Sequence, residues 1–220
     1  NKADYVFSYG GKTTNIIKDL GVPNNKIIEI PSAINKSWLN EKKLNNSKSI
    51  KFLFVGRFEE RKGVKEINSA LVSLSKDSFN AEFHFVGPIP IKNRIKSNDF
   101  KIIYYGEIID DESKKKIYDK CDILMCPSYS EGMPNVILEA MSRGLAIMAT
   151  DVGAIRLLVS KNNGILLKNC NEILILNAIR EFLSTDKKLI LKMKENSIQI
   201  IKENFLWQNI IYKFLSTLDK

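Results

Sequence analysis

The sequence predicts an α/β protein, a Rossmann-like doubly wound parallel sheet followed by a C-terminal helical segment. Three observations carry that expectation. From about residue 50, short β-rich runs alternate with amphipathic segments, the order in which successive strand–helix–strand units build a parallel sheet. Most of those runs are apolar on both faces, as strands buried between two helix layers are. Proline, glycine and acidic residues fall where the intervening helices should start and stop.

The predicted strands are 51–55 (KFLFV), 82–86 (EFHFV), 101–105 (KIIYY), 122–126 (DILMC), 145–149 (LAIMA) and 165–167 (ILL). Between them, helices are expected over 63–76, over 111–120 with acidic residues in the first turn, and over 134–143 with Pro134 at its start and Gly144 just past its end. Asn163-Gly164 marks a turn, and from Asn171 the pattern is helical to the end. The first 49 residues differ in character: a strand over 4–8, a helix over 12–20 closed by Gly21 and Pro23, a second strand over 26–30, then a polar, irregular stretch. The expected organisation is the end of a preceding domain (1–33), a linker (34–49), a complete domain (50–203) and a closing helix (204–220). The chain opens on Asn1 rather than Met, which reads as a cut. In the closing helix, Trp207, Ile210, Ile211, Phe214, Leu215 and Leu218 form an apolar stripe. That stripe is expected to pack on Tyr5, Phe7, Ile16, Ile17 and Leu20 of the same or a neighbouring chain.

Composition narrows the function classes. Hydrophobic residues make up 44% and charged residues 27%, ordinary globular usage, and no apolar run approaches the roughly 18 residues a membrane span needs. No secretory signal precedes the first strand. The three cysteines are odd in number and lack zinc-like spacing, which fits a reducing compartment. His84 is the only histidine and falls inside a strand, so it reads as a packed residue rather than a catalytic base or metal ligand. The net charge of +9 comes from lysines scattered through Ile/Lys/Asn-rich segments without interleaved aromatics, so no nucleic-acid partner is expected. Lys114, Lys115 and Lys116 read as a solvated helix face. Gly11-Lys12-Thr13 imitates the end of a P-loop, but the motif requires glycine where Val6 stands. No GxGxxG follows any strand, which argues against a dinucleotide cofactor.

Two loops at the carboxyl ends of predicted strands carry the chemistry, because open parallel sheets bind their ligands there. The first, GRFEERKG, places Arg57, Arg61 and Lys62 just before a helix. Free N–H groups, a planar guanidinium fork and a lysine point charge together suit a phosphate. The second, SYSEGMPNVILE, separates Glu131 from Glu139 by seven residues. On a continuous helix the two carboxylates would lie about 80° apart, but Gly132 and Pro134 break the helix, which leaves Glu131 on the loop and Glu139 one to two turns in. Gly132 allows a ligand close to the backbone, and the N–H groups around Met133 to Asn135 are expected to face outward.

GRFEERKG followed by PSYSEGMPNVILEAMSRGLAIMATDVG resembles the C-terminal donor-binding domain of GT-B glycosyltransferases of family 4. The intervening YYGEIIDDESKKKIYDKCDILMCPS is similar as well, and the likeness reaches weakly into SYGGKTTNIIKDLGVPNNKIIEIPSAIN. The resemblance implies a retaining transfer of a hexose-type sugar from a nucleotide diphosphate sugar, such as a UDP- or GDP-hexose, to a saccharide or lipid-linked acceptor. It further implies that Arg57 and Lys62 hold the diphosphate, that Glu139 holds the ribose hydroxyls, and that Glu131 with Gly132, Met133, Pro134 and Asn135 holds the sugar and its phosphate. Gly106 and Glu107 would lie beside the base. On that reading Glu131, Arg57 and Lys62 carry catalysis, no metal or other cofactor is required, and the acceptor comes from an N-terminal domain of the same protein. The segment by itself is expected to be nearly inactive, and the location cytoplasmic with peripheral contact at the inner membrane face. Three departures stand out: Gly153-Ala154-Ile155-Arg156-Leu157 replaces GG and a following Glu, Gly87-Pro88-Ile89-Pro90 replaces a glycine-rich turn, and Ala146 stands where proline is common. Two rivals share the residues: an epimerase or phosphorylase of the same architecture, marked by epimerised product or bound pyridoxal phosphate, and a non-catalytic nucleotide-binding module.

Overall fold

The computed structural model describes residues 3–40, 49–74 and 80–218. Two short parallel strands, β1 (Val6–Ser8) and β2 (Ile27–Glu29), flank helix α1 (Lys12–Asp19). The main sheet has six strands, β3 (Ile50–Val55), β4 (Ala81–Val86), β5 (Lys101–Gly106), β6 (Ile123–Cys126), β7 (Ala146–Thr150) and β8 (Gly164–Leu167). All its pairings are parallel, and the order is β5-β4-β3-β6-β7-β8. The chain therefore builds outward from β3 in one direction and then returns to build outward from β6 in the other. Between these two strands, at their carboxyl ends, such a sheet opens its binding crevice.

Each face of the sheet is covered. Phe52, Phe54, Phe83 and Phe85 point to one side, where they pack with α2 (Val64–Leu74) and α5 (Glu172–Ser184). Leu53, Leu124 and Ile147 point to the other, under α3 (Asp111–Tyr118), α4 (Asn135–Ser142) and α6 (Lys187–Asn204). Phe52 stacks on Phe83 at 5.0 Å between ring centroids, and both are fully buried. Burying a side chain of that size contributes about 2 to 3 kcal/mol, so the two aromatic rows anchor the strands that carry the loops. His84 is buried, with Nδ1 2.9 Å from the Tyr105 hydroxyl; burial, the largest cause, pushes its pKa down.

The strands fall within a residue or two of the sequence reading, and Gly144, just past the end of α4, takes a left-handed φ of 75° as a helix-terminating residue does. The expected end of the 63–76 helix lies outside the described residues, as does half of the 34–49 stretch, residues 41–48. The helical tail differs from a single run. It breaks at Asp186, whose carboxylate caps α6 by accepting from Lys188 N, and again at Phe205, before α7 (Trp207–Leu218). At the second break Ile34 N donates to Phe205 O and Trp207 N donates to Ile34 O, so the stretch before β3 is stitched to the tail. Ile34, Trp38 and Leu39 are buried, and Trp38 meets Tyr118 edge to face at 6.1 Å. What reads as a polar connector thus contributes to the core, because three apolar residues among many polar ones suffice to anchor it.

Of the closing stripe, Ile210 is buried, whereas Trp207, Ile211 and Leu215 are exposed. Ile210 and Phe214 line a cavity of about 920 Å³ together with Tyr5, Tyr9, Ile28 and Ile30, but of the expected partners only Tyr5 reaches it, and Tyr5, Phe7, Ile16 and Leu20 are exposed, so the stripe is not buried by them within this chain. No helix among the described residues is long and apolar enough to cross a membrane.

Candidate functional site

The loop after β3 and the loop after β6 meet at the crevice between those strands. Tyr129 N donates to Arg61 O at 2.8 Å, and the Tyr129 hydroxyl donates to Glu66 Oε1 at 2.8 Å. Gly63 makes the approach possible. Its φ is +69°, and a Cβ there would stand 2.3 Å from Pro127 O, which no side chain tolerates. A third loop supports the second from below: a Cβ on Gly153 would lie 2.1 Å from Glu131 O, and Ala154 N donates to Gly132 O.

These backbone contacts bring five charged side chains together. Lys62 Nζ bonds Glu131 Oε1 at 2.6 Å, and Arg61 Nη1 stands 3.6 Å from Glu131 Oε2. Glu59 accepts from Arg57 Nε and from Arg61 Nε, each at 2.8 Å. Lys62 and Glu131 are 14% and 8% exposed, whereas Arg57 is 69% exposed, so one cation is built into the crevice and the other stands at its mouth. Arg57 reaches the Lys62–Glu131 pair only through Glu59 and Arg61.

Glu139 sits in α4, half-buried, and accepts from the Tyr118 hydroxyl at 2.7 Å. Burial of this carboxyl pushes its pKa up, and the Tyr118 hydrogen bond and nearby Lys114 oppose the shift. Tyr118 is itself buried, with its own pKa raised, so its hydroxyl stays a donor. Met133 and Pro134 are buried, and Met133 Sδ accepts from Ser32 N at 3.1 Å. Asn135 Oδ1 accepts from Ser32 Oγ at 2.9 Å, and no side chain caps the start of α4, where Pro134 is the N-cap residue. The ring of Tyr9 lies over Gly132, about 3.0 Å from where a Cβ would stand, so the face read as open to a ligand has an aromatic cover from the first segment.

Gly106 ends the edge strand β5, two strands from β3, and Glu107 is exposed beyond it. They are linked to the crevice through the strand ends: Gly87 N donates to Gly106 O, and Gly56 N donates to Val86 O. Glu59 and Tyr118 join the site without having been singled out from the sequence, and Arg61, noted there only as a loop cation, acquires two partners. The cysteines lie elsewhere in role: all three are buried, and burial pushes Cys126 up to about 11 and Cys170 up to about 12, so neither is a nucleophile near neutral pH.

A six-stranded parallel sheet in the order β5-β4-β3-β6-β7-β8, with helices on both faces, defines an α/β domain of the Rossmann-like type. More narrowly, the chain belongs to the glycosyl transferases group 1 family, whose model matches residues 36–200, and its architecture is that of the C-terminal half of a GT-B fold. It is 30% identical over 206 residues to the N,N'-diacetylbacillosaminyl-diphospho-undecaprenol alpha-1,3-N-acetylgalactosaminyltransferase of Campylobacter jejuni, covering 90% of this chain and 53% of that protein. Among solved structures, the C-terminal domain of the group 1 protein LpcC from Francisella tularensis is 22% identical with a TM-score of 0.67, covering 80% of this chain and 100% of that one. HepE of Anabaena, in complex with UDP and glucose, is 17% identical with a TM-score of 0.76, covering 99% of this chain and 63% of that one. The chain spans between 28% and 59% of the length of the curated relatives it matches.

Proposed function

We propose that this chain is the donor-binding half of a retaining glycosyltransferase of family 4, which transfers a hexose-type sugar from a nucleotide diphosphate sugar to a saccharide or lipid-linked acceptor. The observation that carries the reading is the Lys62–Glu131 pair, which places a phosphate-type cation and a sugar-type carboxylate 2.6 Å apart at the switch point. Arg57 and Lys62 bind the diphosphate, Glu139 accepts from the ribose hydroxyls, and Glu131 accepts from the sugar. Gly132 to Asn135 supply backbone to the sugar and its phosphate, while Gly106 and Glu107 flank the base.

The acceptor oxygen bonds to the anomeric carbon on the face from which the diphosphate leaves. The bond to the diphosphate oxygen breaks, and the departing diphosphate takes the acceptor's proton. The residues then have one main task, to stabilise negative charge on the leaving group, which Arg57, Lys62 and the N–H groups at the start of α4 do without a metal. Removing one such donor typically costs about 2.7 to 4 kcal/mol of transition-state stabilisation. The undecaprenol-linked acceptor in the Campylobacter relative's name and the UDP bound by HepE support a lipid-linked acceptor and a uridine donor among the candidates. The acceptor is supplied by another domain of the same protein, so this segment binds donor more readily than it transfers sugar, in the cytoplasm and at the inner membrane face. Calorimetric titration with UDP-, GDP- and ADP-sugars tests the reading: one of them binds, and a protein that binds none is not a donor domain.

A further inference from the structure

The crevice holds an alternating string of charges, Arg57–Glu59–Arg61–Glu131–Lys62, in which no neighbouring pair is more than 3.6 Å apart. Three cations are balanced there against two carboxylates. The two ends of the string, Arg57 and Lys62, are the cations that the donor reading above assigns to the diphosphate, and the present inference rests on that reading. When both turn to the diphosphate, Glu59 and Glu131 lose one partner each. Glu131 is 8% exposed, so water does not replace the lost cation, and a nearly buried carboxylate without a partner is costly.

Among the described residues, Arg61 is the cation in contact with both carboxylates, with Nε 2.8 Å from Glu59 and Nη1 3.6 Å from Glu131. A guanidinium presents a planar fork of donors, so one side chain serves two carboxylates at once, which an ammonium on a flexible stem does less well. The backbone fixes its place as well, because Arg61 O accepts from Tyr129 N of the Glu131 loop. We propose that Arg61 is a positioning residue that takes over Glu131 when the diphosphate draws Lys62 away, and so keeps the carboxylate aimed at the sugar. Arg61 then governs how strongly the site prefers a sugar nucleotide over the bare nucleoside diphosphate.

The test is calorimetry on wild type, Arg61→Ala and Arg61→Lys, with UDP, GDP and ADP each compared with UDP-glucose, GDP-mannose and ADP-glucose, and with thermal unfolding to establish that each variant is folded. Arg61→Ala should cut the preference for the sugar nucleotide about 10-fold, the size of one charge-assisted hydrogen bond, while the bare nucleoside diphosphate loses less affinity, the part due to Glu131 being left without a cation when Lys62 turns to the phosphates. Arg61→Lys should recover part of the preference. An unchanged preference in a folded Arg61→Ala overturns the proposal, and so does an equal loss for both ligands, which would mark Arg61 as a phosphate or scaffold residue. Wild-type protein that binds none of the six ligands fails the donor reading itself, a result distinct from either of those.

Discussion

Glu131 and Glu139 enter the same short stretch of chain, yet their surroundings differ in kind. Glu131 lies on a loop between two cations, Lys62 and Arg61, that come from a different strand end. Glu139 lies inside α4 and meets a neutral phenol, Tyr118, with Lys114 contributing only at longer range. A carboxylate tied to two cations can exchange partners when a phosphate anion arrives, whereas one held by a buried hydroxyl keeps its place and offers its remaining lone pairs to a diol. The difference suits the two ends of a nucleotide sugar. Glu131 would meet the sugar next to the phosphate charge that rearranges its surroundings, and Glu139 would meet the ribose hydroxyls, which need a fixed acceptor.

The largest effect is expected from Lys62→Ala, which breaks the comparison at its charged end. It removes a phosphate ligand and leaves Glu131 nearly buried beside Arg61 alone, so nucleotide affinity should fall by about 2 kcal/mol or more, roughly 30-fold. Calorimetry reads the loss, and a lowered melting temperature should accompany it. Gly63→Ala leaves every charge in place but forces the loops apart, because its Cβ would meet Pro127 O at 2.3 Å. A stability loss of about 2 kcal/mol in denaturant titration is expected, with weaker nucleotide binding in the folded fraction. An unaltered affinity would mean that loop contact does not organise the site.

Tyr118→Phe probes the neutral end and should have the smallest effect. The Glu139 carboxyl titrates above the ordinary glutamate range because burial disfavours its charged form, so it takes up a proton earlier than an exposed glutamate as pH falls. Nucleotide binding that uses the carboxylate is therefore lost on acidification from the same side. The Tyr118 hydrogen bond opposes the shift, so its removal should move the acidic limb of the binding profile to higher pH, by less than about one unit for a bond worth about 1 kcal/mol. A limb that stays put or moves down would separate Tyr118 from the titration.

Much of the sheet and both loops were legible in the sequence because the signals are local: apolar runs of strand length, and GRFEERKG and SYSEGMPNVILE at their ends. What joins the loops was not local. Lys62 and Glu131 lie 69 positions apart and meet only because β3 and β6 are neighbours in a strand order that periodicity does not encode. Tyr118 was hidden for the opposite reason. It occupies an apolar position of α3, and only a buried hydroxyl's need for a partner hints that it serves Glu139. Asp186 carried a visible cap signal, masked because apolar spacing resumes on both sides of it. Trp38 was averaged away in a polar stretch.

The central claim, that the two carboxylates read different parts of one donor, is tested most directly by calorimetry on Glu131→Ala and Glu139→Ala with a nucleoside diphosphate and its sugar-bearing form. Glu139→Ala should weaken both ligands by a similar factor, whereas Glu131→Ala should weaken only the sugar-bearing one. If Glu131→Ala weakens both ligands equally, or Glu139→Ala spares the bare nucleoside diphosphate, the assignment of the two carboxylates is wrong.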